Sequence, residues 1–242
     1  MLELFHTPQS TCSQKVRLVL AEKSLDWTER KIDWLNGEHL QDWYLKINPN
    51  GVVPTLVHNG SSVVDSSVIN EYLEDVFPTP SLRPQDPLEC ARMRSWRQYI
   101  DEVPTTAIRF PSFNKILVNL WKNMSDEEFE QFAKKHPLRA DFYRRMGTTG
   151  FNQDDINSSK IRLTDALNRM EASLSQGNPW LNGELFSLID ISILPTIVRM
   201  EDLGMSDMWS ELPNVTDWYT RIQKRPSFEA AYQGETRQLP SW

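Results

Sequence analysis

Three short stretches in the first third of the chain carry residue types that can hold and polarise a small anionic ligand. The first is Ser10-Thr11-Cys12-Ser13, at a turn that enters a helix. Hydroxyls and unpaired backbone N–H groups converge there with the positive end of the helix dipole, so the place stabilises an anion. Plain helix capping uses the same residues, and the turn alone does not separate the two uses. The second stretch is Val53-Pro54-Thr55. Proline just before a strand removes a ladder donor; this is either an ordinary strand start or a cis bond in a tight turn that leaves the Val53 N–H and C=O free for a ligand's peptide. The third is Asp65-Ser66, opening a helix whose N–H groups and hydroxyl suit a carboxylate, with Asp65 available for an ammonium.

The elements that must position these residues follow from pattern. Leu2–Phe5 alternates as a short strand, and Thr7–Ser10 reads as a turn. Val16, Val19 and Leu20 recur at helical spacing between Cys12 and Lys23. Asp26–Ile32 is expected as a second strand and Glu38–Lys46 as a short helix. Val52–Val57 and Ser62–Val64 flank Asn59-Gly60, a strong hairpin signal. Asp65–Val76 is a helix capped by Asp65 or Ser66. The order is βαβα and then ββα.

Phe77 to Pro87 holds four prolines in eleven residues, a stiff extended linker. The expected division is therefore 1–78, a linker at 79–87, and an all-helical part over 88–242. Helices are expected at Leu88–Val103, Lys115–Trp121, Asp126–His136, Lys160–Leu174, Leu188–Glu201 and Asn214–Arg225, with 137–155 ambiguous. Ser125 and Glu128 form a capping box. Leu188–Glu201 is apolar almost all round and should be buried.

Composition excludes several classes. The 242 residues carry a formal charge of −7 with no basic block, so nucleic acid is not an expected partner. Two cysteines far apart, Cys12 and Cys90, favour a reducing compartment over a disulfide scaffold. No apolar run approaches a membrane span, and no signal peptide is visible. The expected setting is cytoplasmic, with no membrane partner and no metal.

The order and spacing of these features resemble the glutathione transferase superfamily. The resemblance runs across nearly the whole chain: the Ser10–Ser13 turn before Lys15-Val16-Arg17, Asn48-Pro49, Val53-Pro54, Asp65-Ser66 and the linker. It includes Ser187-Leu-Ile-Asp190, which resembles the family's buried capping box, with Phe186 stapled on Ile191. The fold it implies is a thioredoxin-like βαβαββα domain followed by an all-helical domain. Glutathione is the implied cofactor and a homodimer the implied assembly.

Residue by residue, the resemblance implies that Ser10 donates a hydrogen bond to the glutathione sulfur, with Thr11 alongside. Cys12, as in members that form mixed disulfides, and Ser13 are rivals for the role. Val53, with Pro54 cis, pairs with the cysteinyl backbone. Asp65 and Ser66 bind the γ-glutamyl end, and His39 aligns with a glycyl-carboxylate binder in theta-like members. An exposed helix histidine is the competing reading of His39. Lys15 and Arg17 are expected to face solvent or a partner chain. Candidates for an electrophile pocket between the domains are Trp96, Tyr99, Ile100, Val103 and Arg109; ordinary interdomain core is the competing reading of all five and the preferred one for Trp96. Arg92, Arg94 and Arg97 are expected opposite an acidic face or in solvent.

The thiol turn is zeta-like and theta-like. The segment Leu82–Trp96, with Asp101-Glu102 and Met124–Glu130, resembles bacterial enzymes that cleave β-aryl ethers with glutathione. The expected activity is thiol attack on a small hydrophobic electrophile, as in detoxification. Ether cleavage, dehalogenation, maleylacetoacetate-type isomerisation and a non-catalytic binding module are the alternatives.

Overall fold

The computed structural model describes residues 1–238. Strand β1 (Leu2–His6) buries alternate residues, Leu2, Leu4 and His6, as its pattern requires. It lies inside a four-stranded sheet of order β2-β1-β3-β4. It runs parallel to β2 (Thr28–Lys31) and antiparallel to β3 (Thr55–His58). The Asn59-Gly60 turn, both residues at positive φ, returns β3 into β4 (Ser61–Val64). Helix α1 (Thr11–Glu22) follows β1, and α3 (Ser66–Val76) follows β4 with Asp65 as its cap. The segment expected as one helix after β2 divides into a 3₁₀ turn, Glu38–Leu40, and α2 (Asp42–Ile47). Gln41 interrupts them in extended conformation.

Beyond the proline-rich stretch every element is helical. Asp86 caps α4 (Pro87–Glu102), whose first residue is a proline, where the missing N–H costs nothing. Short helices α5 (Pro104–Ala107), α6 (Arg109–Ile116) and α7 (Val118–Trp121) replace the single helix expected at Lys115–Trp121. The capping box of Ser125 and Glu128 is present on α8 (Asp126–Lys134). The ambiguous 137–155 stretch contains α9 (Ala140–Met146) and the first turn of α10 (Gln153–Leu174). The chain closes with α11 (Leu188–Asp202), α12 (Pro213–Gln223) and α13 (Pro226–Ala231). Thioredoxin-like sheet first and helices after is the architecture the sequence implied.

Two cores divide the interior. The larger joins α1, α3, α4, α10 and α11 behind the sheet, and α11 is buried throughout from Leu188 to Met200. Phe186 and Ile191 both belong to it, and the ring beside Phe186 is Trp180. A second, aromatic core of Phe110, Trp121, Phe129, Tyr143 and Phe151 holds α6 to α9 together. Asn114 ties this unit shut by bonding both the N–H and C=O of Phe151.

A buried polar seam joins the sheet domain to the helices, and it corrects the expectation for Lys15 and Arg17. Lys15 is 1% exposed. Its ammonium lies 2.6 Å from an Asp101 carboxylate oxygen on α4, whose other oxygen accepts from Ser67 Oγ at 2.5 Å. Arg17 is also buried and donates to Ala231 C=O and Thr236 Oγ1. Two residues apart on α1, they point to different sides, Lys15 toward α4 and Arg17 toward α13 and the segment after it. Arg94 and Arg97 meet Glu71 on α3, Arg97 from a buried position, whereas Arg92 is exposed.

Burial alone would raise the Asp101 pKa, but Lys15, Ser67 and Arg97 outweigh it and hold it below the ordinary carboxylate value. A depressed folded pKa means that the ionised group stabilises the fold above its unfolded pKa, about 3.9. That contribution is lost as pH falls through the lower folded value. Asp101→Asn should therefore lower the stability at neutral pH by roughly 3 kcal/mol for a buried cation left uncompensated, read as a fall in the urea midpoint. The gap to the parent should shrink below about pH 4. A gap independent of pH would show that the pair does not carry the effect.

Candidate active site

The loop from β1 to α1 is held before any ligand arrives. Ser10 N–H donates to Thr7 C=O at 3.0 Å, and Thr7 Oγ1 donates to Ile32 C=O at 3.2 Å. Arg199 on α11 donates to Gln9 C=O at 2.6 Å. Ser10 caps α1 in extended conformation, its Oγ accepting from Ser13 N–H at 3.3 Å. That bond uses a lone pair and leaves the hydroxyl proton to be donated elsewhere. The N–H groups of Thr11 and Cys12 follow at the open end of the helix, where no intrahelical acceptor exists.

This loop forms one wall of a cleft of about 160 Å³. Ser10, Thr11, Cys12, Trp34, His39 and Val53 line it from the sheet domain. Arg109, Phe113, Ile116, His136, Arg139 and Tyr143 line it from α6 to α9. Ser13 does not reach it. That side chain is 0% exposed and its Oγ has no partner among the described residues.

Opposite the thiol turn, the chain enters β3 through a knot of hydrogen bonds. Tyr44 Oη and Asn48 Nδ2 each donate to Val52 C=O at 2.8 Å, and both also meet Thr55 Oγ1 at 2.9 Å. Gly51 at φ +58 lies so close to Leu40 and Pro137 that a Cβ would stand 3.0 and 3.1 Å from them. The Val53-Pro54 bond is cis. Val53 itself lines the cleft, and neither its N–H nor its C=O pairs with another backbone group among the described residues. Register places Asp65 beside Pro54, because Thr55 faces Val64. Asp65 caps α3 by accepting from Ser67 and Val68 N–H at 2.9 and 3.2 Å. Asp65 is exposed and Ser66 buried, and neither lines the cleft.

His39 is buried rather than exposed. It is 3% exposed, stacked on Trp34 at 5.8 Å and 13°, and neither ring nitrogen has a partner among the described residues. Burial, with His136 and Arg139 nearby, lowers its pKa to about 4. It is therefore neutral at pH 7, with one nitrogen to donate and one to accept.

The electrostatics of the cleft are read most directly at Cys12. Burial alone would raise its pKa, yet Lys15, Arg109 and Arg139 hold it below the ordinary thiol value. A sulfur anion is thus favoured at this end of the cleft. Tyr143 is pushed up to about 12 by burial and stays protonated.

Of the residues expected in the electrophile pocket, only Arg109 lines the cleft. Ile100 is in the larger core, and Trp96 and Tyr99 pack against it, Tyr99 beneath the Arg169 guanidinium at 4.0 Å. Val103 ends α4, where Pro104 starts the next turn. The reason is directional: α4 presents this face to α10 and α11, and the bend at Pro104 lets α6 reach the cleft instead. Sequence reasoning missed Trp34, Phe113, His136, Arg139 and Tyr143. The aromatic residues from Phe110 to Phe151 were the available signal, since they mark a separate core that has to sit on something.

Known proteins match this geometry. The glutathione S-transferase N-terminal domain matches residues 9–76, and the glutathione S-transferase C-terminal domain matches 153–221. Protein LigF of Sphingobium sp. strain NBRC 103272 / SYK-6 is 31% identical over 98% of this chain and 95% of its own. The crystal structure of beta-etherase LigF from Sphingobium sp. strain SYK-6 superposes with a TM-score of 0.85 at 32% identity, over 96% of this chain and 98% of that one. Tetrachloro-P-hydroquinone reductive dehalogenase of Sphingobium chlorophenolicum is 28% identical over 100% of this chain and 97% of its own. The chain belongs to the glutathione S-transferase family and is an enzyme of that family, with glutathione as its co-substrate.

Proposed function

We propose that Ser10 and the start of α1 activate the glutathione thiol for displacement of a leaving group, an aryloxide or a halide, from a carbon held against the aromatic wall of α6 to α9. The observation that carries this reading is that Ser10 and the open end of α1 line the cleft together with Arg109 and Arg139, cations that also lower the Cys12 pKa. Bound glutathione supplies the nucleophile, a thiolate. Ser10 Oγ–H points its free proton at that sulfur, and the Thr11 and Cys12 N–H groups add the helix-end field. Val53 offers one backbone donor and one acceptor to the tripeptide, and His39 an unpartnered ring at its glycyl end. Asp65 and Ser66, on the far side of Pro54, take the γ-glutamyl end. Trp34, Phe113 and Tyr143 exclude water from the reacting carbon. Aryl ether cleavage is favoured among leaving groups by the similarity to beta-etherase LigF across nearly the whole chain. Turnover of a guaiacyl β-ether against a chloronitrobenzene tests this. Release of guaiacol by the parent supports ether cleavage, and turnover of the halide alone would contradict it.

A second reading rests on Cys12 itself, a thiol in the cleft whose anion is favoured, and on the similarity to a reductive dehalogenase. Here Cys12 would take the glutathionyl sulfur from an S-aryl conjugate as a mixed disulfide, the aryl carbon keeping the bonding pair and gaining a proton. A further glutathione then reduces that disulfide. Cys12→Ser decides it. Displacement by Ser10 predicts activity within about threefold of the parent and no mixed disulfide by mass spectrometry. Loss of a reductive reaction together with the disulfide would favour Cys12.

His39→Ala should raise KM for glutathione about tenfold, the worth of one hydrogen bond to a charged group, with kcat little changed. An unchanged KM would remove His39 from the site. The homodimer and the cytoplasmic setting implied by the family resemblance go with this reading. Sedimentation velocity checks the dimer.

A further inference from the structure

Two positive charges in the cleft have no use in holding the fold. Arg199 is neutralised by Asp202 and anchors Gln9. Arg109 and Arg139, by contrast, form no ion pair and no side-chain hydrogen bond among the described residues, although both line the cleft. No aspartate or glutamate lines it. Burial of its guanidinium, and then the charge of Arg109 nearby, lowers the Arg139 pKa. Several arginines elsewhere in the fold are paired, Arg97 with Glu71, Arg225 with Glu22 and Arg237 with Asp202, while Arg162 and Arg169 lie over the rings of Phe110 and Tyr99. Both residues are half-buried and line one cavity without a carboxylate partner among the described residues, an arrangement that suits an anion from outside. The walls beside them are aromatic, Phe113 and Tyr143 from the same helical unit and Trp34 across the cleft.

We propose that the electrophile is itself an aromatic carboxylate, its acid group gripped by Arg109 and Arg139 while its ring lies among Trp34, Phe113 and Tyr143. The planar guanidinium fork matches a carboxylate in two-point contact. Such a grip would orient the ring so that the carbon bearing the leaving group faces the sulfur near Ser10. This deepens the displacement reading and rests on it. The chemistry balances as an ordinary substitution: the carbon–sulfur bond forms, the carbon–halogen or carbon–oxygen bond breaks, and the leaving group departs with the bonding pair. The thiol proton goes to solvent.

The test compares a chlorodinitrobenzoate with its methyl ester, each rate divided by the uncatalysed rate with glutathione. The parent should prefer the acid in kcat/KM by about tenfold or more. Arg109→Met and Arg139→Met should each lower the ratio of acid to ester by about ten- to hundredfold. Both arginines also favour a sulfur anion, so the absolute rate falls for both substrates and the ratio isolates the grip. A parent that does not prefer the acid, or a ratio that the variants leave unmoved, overturns the proposal. Quenching of tryptophan fluorescence by unreactive dinitrobenzoate gives a readout without turnover. Binding that is lost in Arg139→Met and does not compete with glutathione supports the anion grip even if every electrophile proves inert, in which case only the displacement reading fails. Competition with glutathione would assign the arginines to the tripeptide's own carboxylate and end the proposal.

Discussion

Replacing Ser10 by alanine should raise the pKa of the bound glutathione thiol by about one to two units and lower kcat/KM about ten- to hundredfold. A hydrogen bond to a charged partner contributes roughly 1.5–3 kcal/mol, and each pKa unit corresponds to about 1.4 kcal/mol. Ser10 is also the cap of α1, accepting from Ser13 N–H. The same change therefore costs about 1 kcal/mol of helix stability. Threonine at this position keeps both a cap and a donor, so Ser10→Thr separates the two roles: it should hold the thiol pKa near the parent's. Ser13→Ala is the complementary control. Its hydroxyl is sealed in the core with no partner among the described residues, so removal should leave the titration where it was. If Ser13→Ala shifted the thiol and Ser10→Ala did not, the turn would work in the other register.

The largest effect on folding is expected at Asp190. Its carboxylate, 0% exposed, accepts from Leu181 N–H and Ser187 N–H at 3.0 Å each and from Trp218 Nε1 at 2.8 Å. One side chain thus pins the start of α11, the loop before it and a tryptophan of α12. Asp190→Ala strands three buried donors at once and should cost about 3–5 kcal/mol, read as a fall in the urea midpoint. Asp190 does not line the cleft, so whatever protein remains folded should keep the parent's kcat. Burial raises the Asp190 pKa above the ordinary carboxylate value. The native state therefore takes up its proton more readily than the unfolded chain, and this group favours the fold as pH drops, the reverse of Asp101. A loss below about 1 kcal/mol would mean that water replaces the carboxylate.

Local chemistry made much of this legible in advance. The Asn59-Gly60 hairpin, the capping boxes at Ser125 and Ser187, and the all-buried α11 follow from rules that act within a few residues. The cleft residues Ser10, Cys12, His39 and Val53 were legible because their neighbours in sequence form the turns that aim them. What escaped depends on which face of a helix another helix covers. Lys15 and Arg17 read as surface residues, yet α1 is wrapped by α4, α11 and α13, and each cation finds its partner more than eighty residues away. Tyr99 and Ile100 have the right types for a pocket, but α4 turns them toward the larger core, where Trp96 was expected to be. Arg139 and Tyr143 stood in a polar stretch with weak periodicity, and only the packing of the aromatic core shows why it folds over the cleft.

The open end of α1, with Ser10 and the cleft's cations, should favour a sulfur anion. Ultraviolet thiolate titration of glutathione bound to Cys12→Ser protein tests it without interference from the Cys12 thiol, after subtraction of the ligand-free protein. A midpoint about one to two units below the free thiol's value of about 8.5 is expected. A midpoint at or above that value would contradict it.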